Sequence, residues 1–288
     1  MIAKEWFEKA KKEKFAIGAF NVANIETMKA IVEAAAELSS PVLIESSPGE
    51  TKWMGARNVV SLARNFSDEY AIPIFVNLDH AETLEDCVTG IEAGYDLIHF
   101  DGSALSYEQN LEITKRVVKA AHAKNLLVEA EIDRMARKSS EVYQEQITAD
   151  ELSKTFSKPE QVQEFVHATK VDTMATLFGN IHGIFPTQPP LDFPLLQKIR
   201  EAIPKTFLSL HGGSGIAGGE VQRAIEIGGI VKVNINTEMR RAFRKTLEKV
   251  LQENPHELAM YKTLPPVVVA VKEVVHDKII MFGSAHKA

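Results

Sequence analysis

Three histidines, His80, His182 and His211, follow short apolar runs that read as buried strands, at residues 72–78, 173–179 and 207–210. Three neutral imidazoles with open positions left over are what a catalytic Zn²⁺ needs. One histidine after one strand is more often a hydrogen-bonded structural residue, whereas three on a common rim argue for a metal. Carboxylates stand at equivalent places: Asp79 precedes His80, Asp101 ends a fourth strand and Glu131 a fifth. Near a metal, Asp101 and Glu131 become supporting or alternative ligands; otherwise they cap helices or bond loop amides. Asp79, next to a ligand, is placed to move a proton. His99 lies inside its strand and reads as a structural residue of the interior.

A second cluster suits an anion. His211 is followed by Gly212, Gly213, Ser214 and Gly215, and the eighth strand ends in Asn234, Ile235, Asn236 and Thr237. Alone, the glycine run is a tight turn. It also lets backbone N–H groups approach a phosphate closely, Ser214 adds a hydroxyl, and Thr237 opens a helix whose N-terminus favours negative charge. A metal beside a phosphate site suits a Lewis acid that polarises a carbonyl or stabilises an enediolate. The rival chemistry is a Schiff base on Lys232, the only lysine inside a strand run, which leaves the histidines unexplained.

The elements that must position these groups alternate. Eight strand candidates, at 15–22, 41–45, 72–78, 97–101, 126–131, 173–179, 207–210 and 230–236, are separated by helical patterns such as 25–38 and 107–123. Nearly continuous apolar runs are expected of parallel strands covered on both faces. The pattern predicts an α/β fold, one (β/α)₈ TIM barrel over residues 1–288, with its active site on the C-terminal rim of the strands. Residues 132–159 break the rhythm and are expected to form a mobile lid. A charged first helix and a helix over 265–275 complete the chain.

Composition narrows the class. The chain has 288 residues, 45% hydrophobic and 25% charged, with a formal net charge of −6. That charge and the lack of a basic run argue against nucleic acid as a partner. No stretch suits a membrane span or signal peptide, and a single cysteine, Cys87, excludes an internal disulfide. A cytoplasmic protein is expected, with Cys87 buried as packing.

The motifs together resemble the class II, metal-dependent ketose-bisphosphate aldolases, the family of fructose- and tagatose-1,6-bisphosphate aldolases. The resemblance runs nearly end to end: Gly18-Ala19-Phe20-Asn21-Val22, Leu78-Asp79-His80, Asp101-Gly102-Ser103, Val128-Glu129-Ala130-Glu131 and Ile181-His182-Gly183. It continues through Leu210-His211-Gly212-Gly213-Ser214-Gly215, Lys232 to Glu238 and the ending Phe282-Gly283-Ser284-Ala285. It implies that His80, His182 and His211 hold Zn²⁺ with Glu131 and Asp101 near it, that Asp79 moves the C4 hydroxyl proton, and that Asn234 steadies the enediolate. It further implies that Asn21, Ser47, Gly183, Gly212, Gly213, Ser214, Asn236, Thr237 and Arg240 bind substrate. Of these, Gly183, Gly212, Ser214, Asn236 and Thr237 would hold the dihydroxyacetone-phosphate end. A monovalent cation, Na⁺ or K⁺, would lie near the Gly183 and Gly212 carbonyls. Arg240 matches an arginine that in some relatives reaches the distal phosphate from a neighbouring subunit, implying a homodimer or homotetramer.

Asn236 and Arg240 favour fructose 1,6-bisphosphate as substrate, and so a place in glycolysis, over tagatose 1,6-bisphosphate or another phosphorylated ketose. Three departures stand out. Ala81 replaces the usual Gly, the segment 132–141 lacks the family's Leu-Gly and Gly-Gly, and no basic residue follows His182-Gly183. Glu141 is the nearest candidate for the acid of that segment. The altered lid leaves open a non-catalytic barrel that serves as a partner subunit.

Overall fold

The computed structural model describes residues 2–135 and 141–288. Its eight strands are β1 (Ile17–Asn21), β2 (Val42–Ser46), β3 (Ile74–Ala81), β4 (Leu97–Asp101), β5 (Leu127–Glu131), β6 (Thr173–Ala175), β7 (Phe207–Leu210) and β8 (Ile230–Ile235). All pair in parallel, in chain order, and β8 closes on β1, giving the (β/α)₈ barrel. Helices start where side chains satisfy free N–H groups. Asn24 accepts from Thr27 N–H before the helix Ile25–Glu37, and Ser106 with Gln109 forms a capping box before Tyr107–His122. The last helix, Pro265–Met281, runs past the expected end at 275. Cys87 is fully buried, and burial pushes its thiol up to about 12. No helix among the described residues is long and apolar enough to cross a membrane.

The barrel interior is layered. Its lower end is apolar, with Ile17, Ala19, Leu43, Phe75, Leu97, Leu127, Phe207 and Val231 closed off by Trp6, Phe7 and Ala10 of the first helix. Above it lies a polar layer, Glu45, Asn77, His99, Glu129, Ser209 and Lys232, each fully buried. Buried charges persist only when paired and hydrogen-bonded. Lys232 Nζ meets that demand with Glu129 Oε2 at 2.7 Å and Glu45 Oε1 at 2.9 Å. Ser209 donates to Glu129 Oε1 at 2.6 Å, and Asn77 Nδ2 donates to Glu45.

Two strands depart from regular alternation. Leu78 pairs with Ile98 but Ala81 with Phe100, so β3 carries one residue more than β4, and His80 takes the left-handed φ of +49°. This is a β-bulge, which allows consecutive side chains to reach one face. It brings Asp79 and His80 to the same cavity. The expected third strand, ending at Leu78, was too short because the bulge hides a continuing ladder. A similar shift between β7 and β8 places Ser209 opposite Lys232. Conversely β6 stops at Ala175, short of the expected 179, and the chain turns at Gly179, whose φ is +115°.

Of the expected lid, residues 136–140 lie outside the described residues. The part from 141 is anchored by its own small core. Val142 bridges to Ile184, Tyr143 stacks on Phe185 with centroids 4.8 Å apart, and Ile147 and Leu152 pack against Ile181 and Phe185. Thr148 and Glu151 cap a short helix, Ala149–Ser153, within it. The few apolar residues of this stretch pack against the loop carrying His182.

Candidate active site

Asn21, Asp79, His80, His182, Gly183, Gly212, Ser214, Asn234, Asn236 and Thr237 line one cavity. All follow or end strands on one rim, as the sequence predicts. His211, buried behind His80, does not line that cavity, nor do Asp101, Glu131, Gly213, Ser47 and Arg240.

His80 and His211 face each other, Nε2 to Nδ1, at 3.1 Å. Bonds of about 2.1 Å at tetrahedral angles separate two zinc-bound nitrogens by roughly 3.4 Å, a spacing near that of this hydrogen-bonded pair. Their outer nitrogens are held by carboxylates: His80 Nδ1 contacts Asp101 Oδ2 at 2.8 Å, and His211 Nε2 contacts Glu129 Oε1 at 2.6 Å. Such outer bonds fix the tautomer and ring orientation of a ligating imidazole. Asp101 and Glu131, the latter 3.7 Å from His80 Nδ1, therefore stand behind His80. The ring of His182 lies farther out, its centroid 5.2 Å from that of His80 and 6.4 Å from that of His211. Donor atoms from Asp79, His80, His99 and His211 lie within 4.8 Å of one another, as do those of His80, Asp101 and Glu131.

Protonation follows from these neighbours. Burial pushes His182 down to about 3 and His211 to about 4, the neutral state that ligation requires. Burial also opposes charge on His80, but Asp79 and the Asp101 hydrogen bond outweigh it and raise its pKa to about 9. Burial works against Asp79 as well, yet His80, His99 and Lys232 hold it well below the carboxylate range, so it is ionised. Burial and the charge of Asp101 raise Glu131 to about 7. Lys232 is pushed up despite burial by Glu129 and Glu45. A permanently charged lysine in two ion pairs is no Schiff-base nucleophile.

His99 was read as merely structural, and the structure gives it a more particular place. The backbone N–H of His80, set free by the bulge, donates to His99 Nδ1 at 3.1 Å. That bond requires a bare Nδ1, so the ring is the Nε2–H tautomer, with Nε2 3.5 Å from Glu131 Oε2. Glu129 and Glu45 were missed altogether. Asn234 Nδ2 donates to Glu45 Oε2 at 3.0 Å and to Asp79 Oδ1 at 3.2 Å, tying the lower layer to the rim.

In the anion cluster, Gly212 has φ +66°, and a Cβ there would sit 2.2 Å from the Ile181 carbonyl oxygen, so only glycine serves. Gly213 does not offer its amide to a ligand, because that N–H donates to the Asn234 carbonyl at 3.2 Å. The expected monovalent cation meets a competitor. Gln188 Nε2 donates to the Ser214 carbonyl at 2.7 Å and to the Gly183 carbonyl at 3.3 Å. Of the two carbonyls expected near the cation, Gly183 and Gly212, the amide meets that of Gly183.

Comparison with known proteins agrees with this geometry. The family model for fructose-bisphosphate aldolase class-II matches residues 2–287. The D-tagatose-1,6-bisphosphate aldolase subunit GatY of Klebsiella oxytoca is 34% identical over 281 residues, 98% of this chain and 96% of that protein. A fructose-bisphosphate aldolase of Geobacillus stearothermophilus is 34% identical over 290 residues, covering 99% and 97%. The crystal structure of the YdjI aldolase from Escherichia coli K12 superposes with a TM-score of 0.84 at 29% identity over the full length of both chains. The chain belongs to the class II fructose-bisphosphate aldolase family. It is therefore an aldolase, a carbon–carbon lyase.

Proposed function

We propose that the chain is a Zn²⁺-dependent aldolase that reversibly breaks the C3–C4 bond of a ketose carrying a phosphate on C1. The products are dihydroxyacetone phosphate and an aldehyde, which is glyceraldehyde 3-phosphate if the substrate is fructose 1,6-bisphosphate. The facing nitrogens of His80 and His211, with the ionised Asp79 carboxylate within 4.8 Å of them, carry this reading. His80, His182 and His211 would hold the metal, with Asp101, Glu129 and Glu131 orienting or balancing them. When bound, Zn²⁺ supplies Lewis-acid polarisation of the C2 carbonyl.

Asp79 takes the proton of the C4 hydroxyl as the C3–C4 bond breaks, and the bonding pair stays with the triose half. The Asn234 amide donates toward the oxygens on which that charge settles. Ser214, Thr237 and the amides around Gly183 and Gly212 hold the C1 phosphate with neutral donors. An acidic protein needs such local donors, because its net field repels the ligand. The segment 141–159 braces the His182 loop through Val142, Tyr143, Ile147 and Leu152.

The zinc-loaded protein is expected to exchange a C3 proton of dihydroxyacetone phosphate with solvent and to condense that compound with an aldehyde. Rigorous chelation should stop both, and undiminished activity without metal would refute the mechanism. His182→Ala should lose most bound zinc, while Asp79→Ala keeps zinc and loses condensation. Equal zinc loss in the two variants would overturn this division of roles.

A further inference from the structure

Glu50 has no part in the chemistry above, yet it is tied to it. It is 8% exposed, and four donors converge on its carboxylate. They are the Ser47 N–H at 2.8 Å, the Ser47 hydroxyl at 2.9 Å, Asn21 Nδ2 at 3.0 Å and Arg240 Nη2 at 2.7 Å. A guanidinium, a hydroxyl, an amide and a backbone N–H aimed at one point form the donor set that receives a phosphate. Here the anion they receive is part of the chain.

The position of this carboxylate matters. The Asn21 amide that donates to Glu50 also donates to Asp79 Oδ2 at 3.0 Å, so one side chain links Glu50 to the proton-transfer carboxylate. Gly183, Gly212, Ser214 and Thr237 stand on the β6–β8 side of the rim, whereas Asn21, Ser47 and Glu50 follow β1 and β2. A substrate with its phosphate among the former and its C4 hydroxyl at Asp79 directs its remaining carbons toward the latter. A terminal phosphate there would meet a carboxylate that already holds its donors and repels its charge. A terminal hydroxyl meets Asn21 and Ser47 without that conflict.

We infer that Glu50 is a specificity-determining residue that makes this chain an aldolase for ketose monophosphates, whose aldehyde half carries no phosphate. The inference rests on the aldolase reading above, and the two fail in different ways. The experiment uses the zinc-loaded full chain, dihydroxyacetone phosphate, and matched aldehyde pairs: glyceraldehyde against glyceraldehyde 3-phosphate, and erythrose against erythrose 4-phosphate. Proton exchange at C3 of dihydroxyacetone phosphate alone is measured in parallel.

The wild-type chain is expected to favour the unphosphorylated member of each pair at least tenfold in kcat/KM. Glu50→Gln should shrink that preference at least tenfold, and Arg240→Gln, which leaves the carboxylate unbalanced, should enlarge it. Exchange with equal or better use of the phosphorylated aldehydes overturns the inference and leaves the aldolase reading intact. An unphosphorylated preference that neither variant moves removes Glu50 as its cause. Absence of exchange overturns both.

Discussion

Glu129→Gln tests whether the layer beneath the rim orients the metal ligands. In the wild-type chain one carboxylate oxygen of Glu129 accepts from His211 and Ser209, and the other pairs with Lys232. All four residues are buried. At 2.7 Å, and an effective dielectric of about 20, the Lys232 attraction is roughly 6 kcal/mol before desolvation is counted. Breaking one side of a buried pair typically costs about 3–5 kcal/mol net. Glu45 keeps Lys232 partly compensated, so about 3 kcal/mol is the reasonable figure, a melting point lower by on the order of 10 °C. The loss at His211 is separate. A glutamine no longer selects the proton on Nε2, and losing such an outer partner weakens metal affinity about 10- to 100-fold.

Thermal unfolding of the metal-free protein and zinc competition against a chelator read the two effects independently. Glu129→Gln combined with Lys232→Met should recover much of the stability while zinc affinity stays low. If the double variant restores zinc affinity as well, or the single variant binds zinc as tightly as wild type, Glu129 does not orient His211.

Two further outcomes follow from the site. His80 keeps a proton up to about pH 9 in the metal-free protein and must release it to ligate, while His182 and His211 are already neutral near pH 7. Lower pH therefore opposes binding, and apparent zinc affinity should rise about tenfold per pH unit between pH 6 and 8; a flat profile in chelator competition would contradict the assignment. Gln188→Ala, which frees the Gly183 and Ser214 carbonyls, should make aldol condensation respond to added K⁺ where wild type does not, and a variant as indifferent as wild type would show that these carbonyls hold no ion.

The barrel was legible because nearly every strand is an apolar run and every polar rim residue ends or follows one. The three histidines, Asp79 and Asn234 could be placed from that rule alone. The layer below was not recognised, although it left a trace. Asn77, His99, Glu129, Ser209 and Lys232 each lie two residues before Asp79, Asp101, Glu131, His211 and Asn234. In a strand that spacing means the same face. Polar residues at this spacing inside apolar runs signal a second buried shell. Glu50 and Gln188 were beyond such reasoning, because both act from connecting segments whose course depends on tertiary packing. The strand boundaries at 78 and 179 failed for backbone reasons, a bulge and a glycine turn that hydrophobic pattern does not encode.

Within the bulge of β3, the residue proposed to ligate the metal and the one proposed to transfer the proton are covalent neighbours. Asp79 and His80 share a peptide unit, so their Cα atoms are fixed about 3.8 Å apart whatever the side chains around them do. A shift of this strand end displaces base and ligand together, preserving their separation while altering their approach to the substrate. Point substitution can retune either group. Separating them takes a change in chain length: deleting one residue between Asn77 and Ala81 would restore ordinary alternation and turn one of the two outward, into the helical layer.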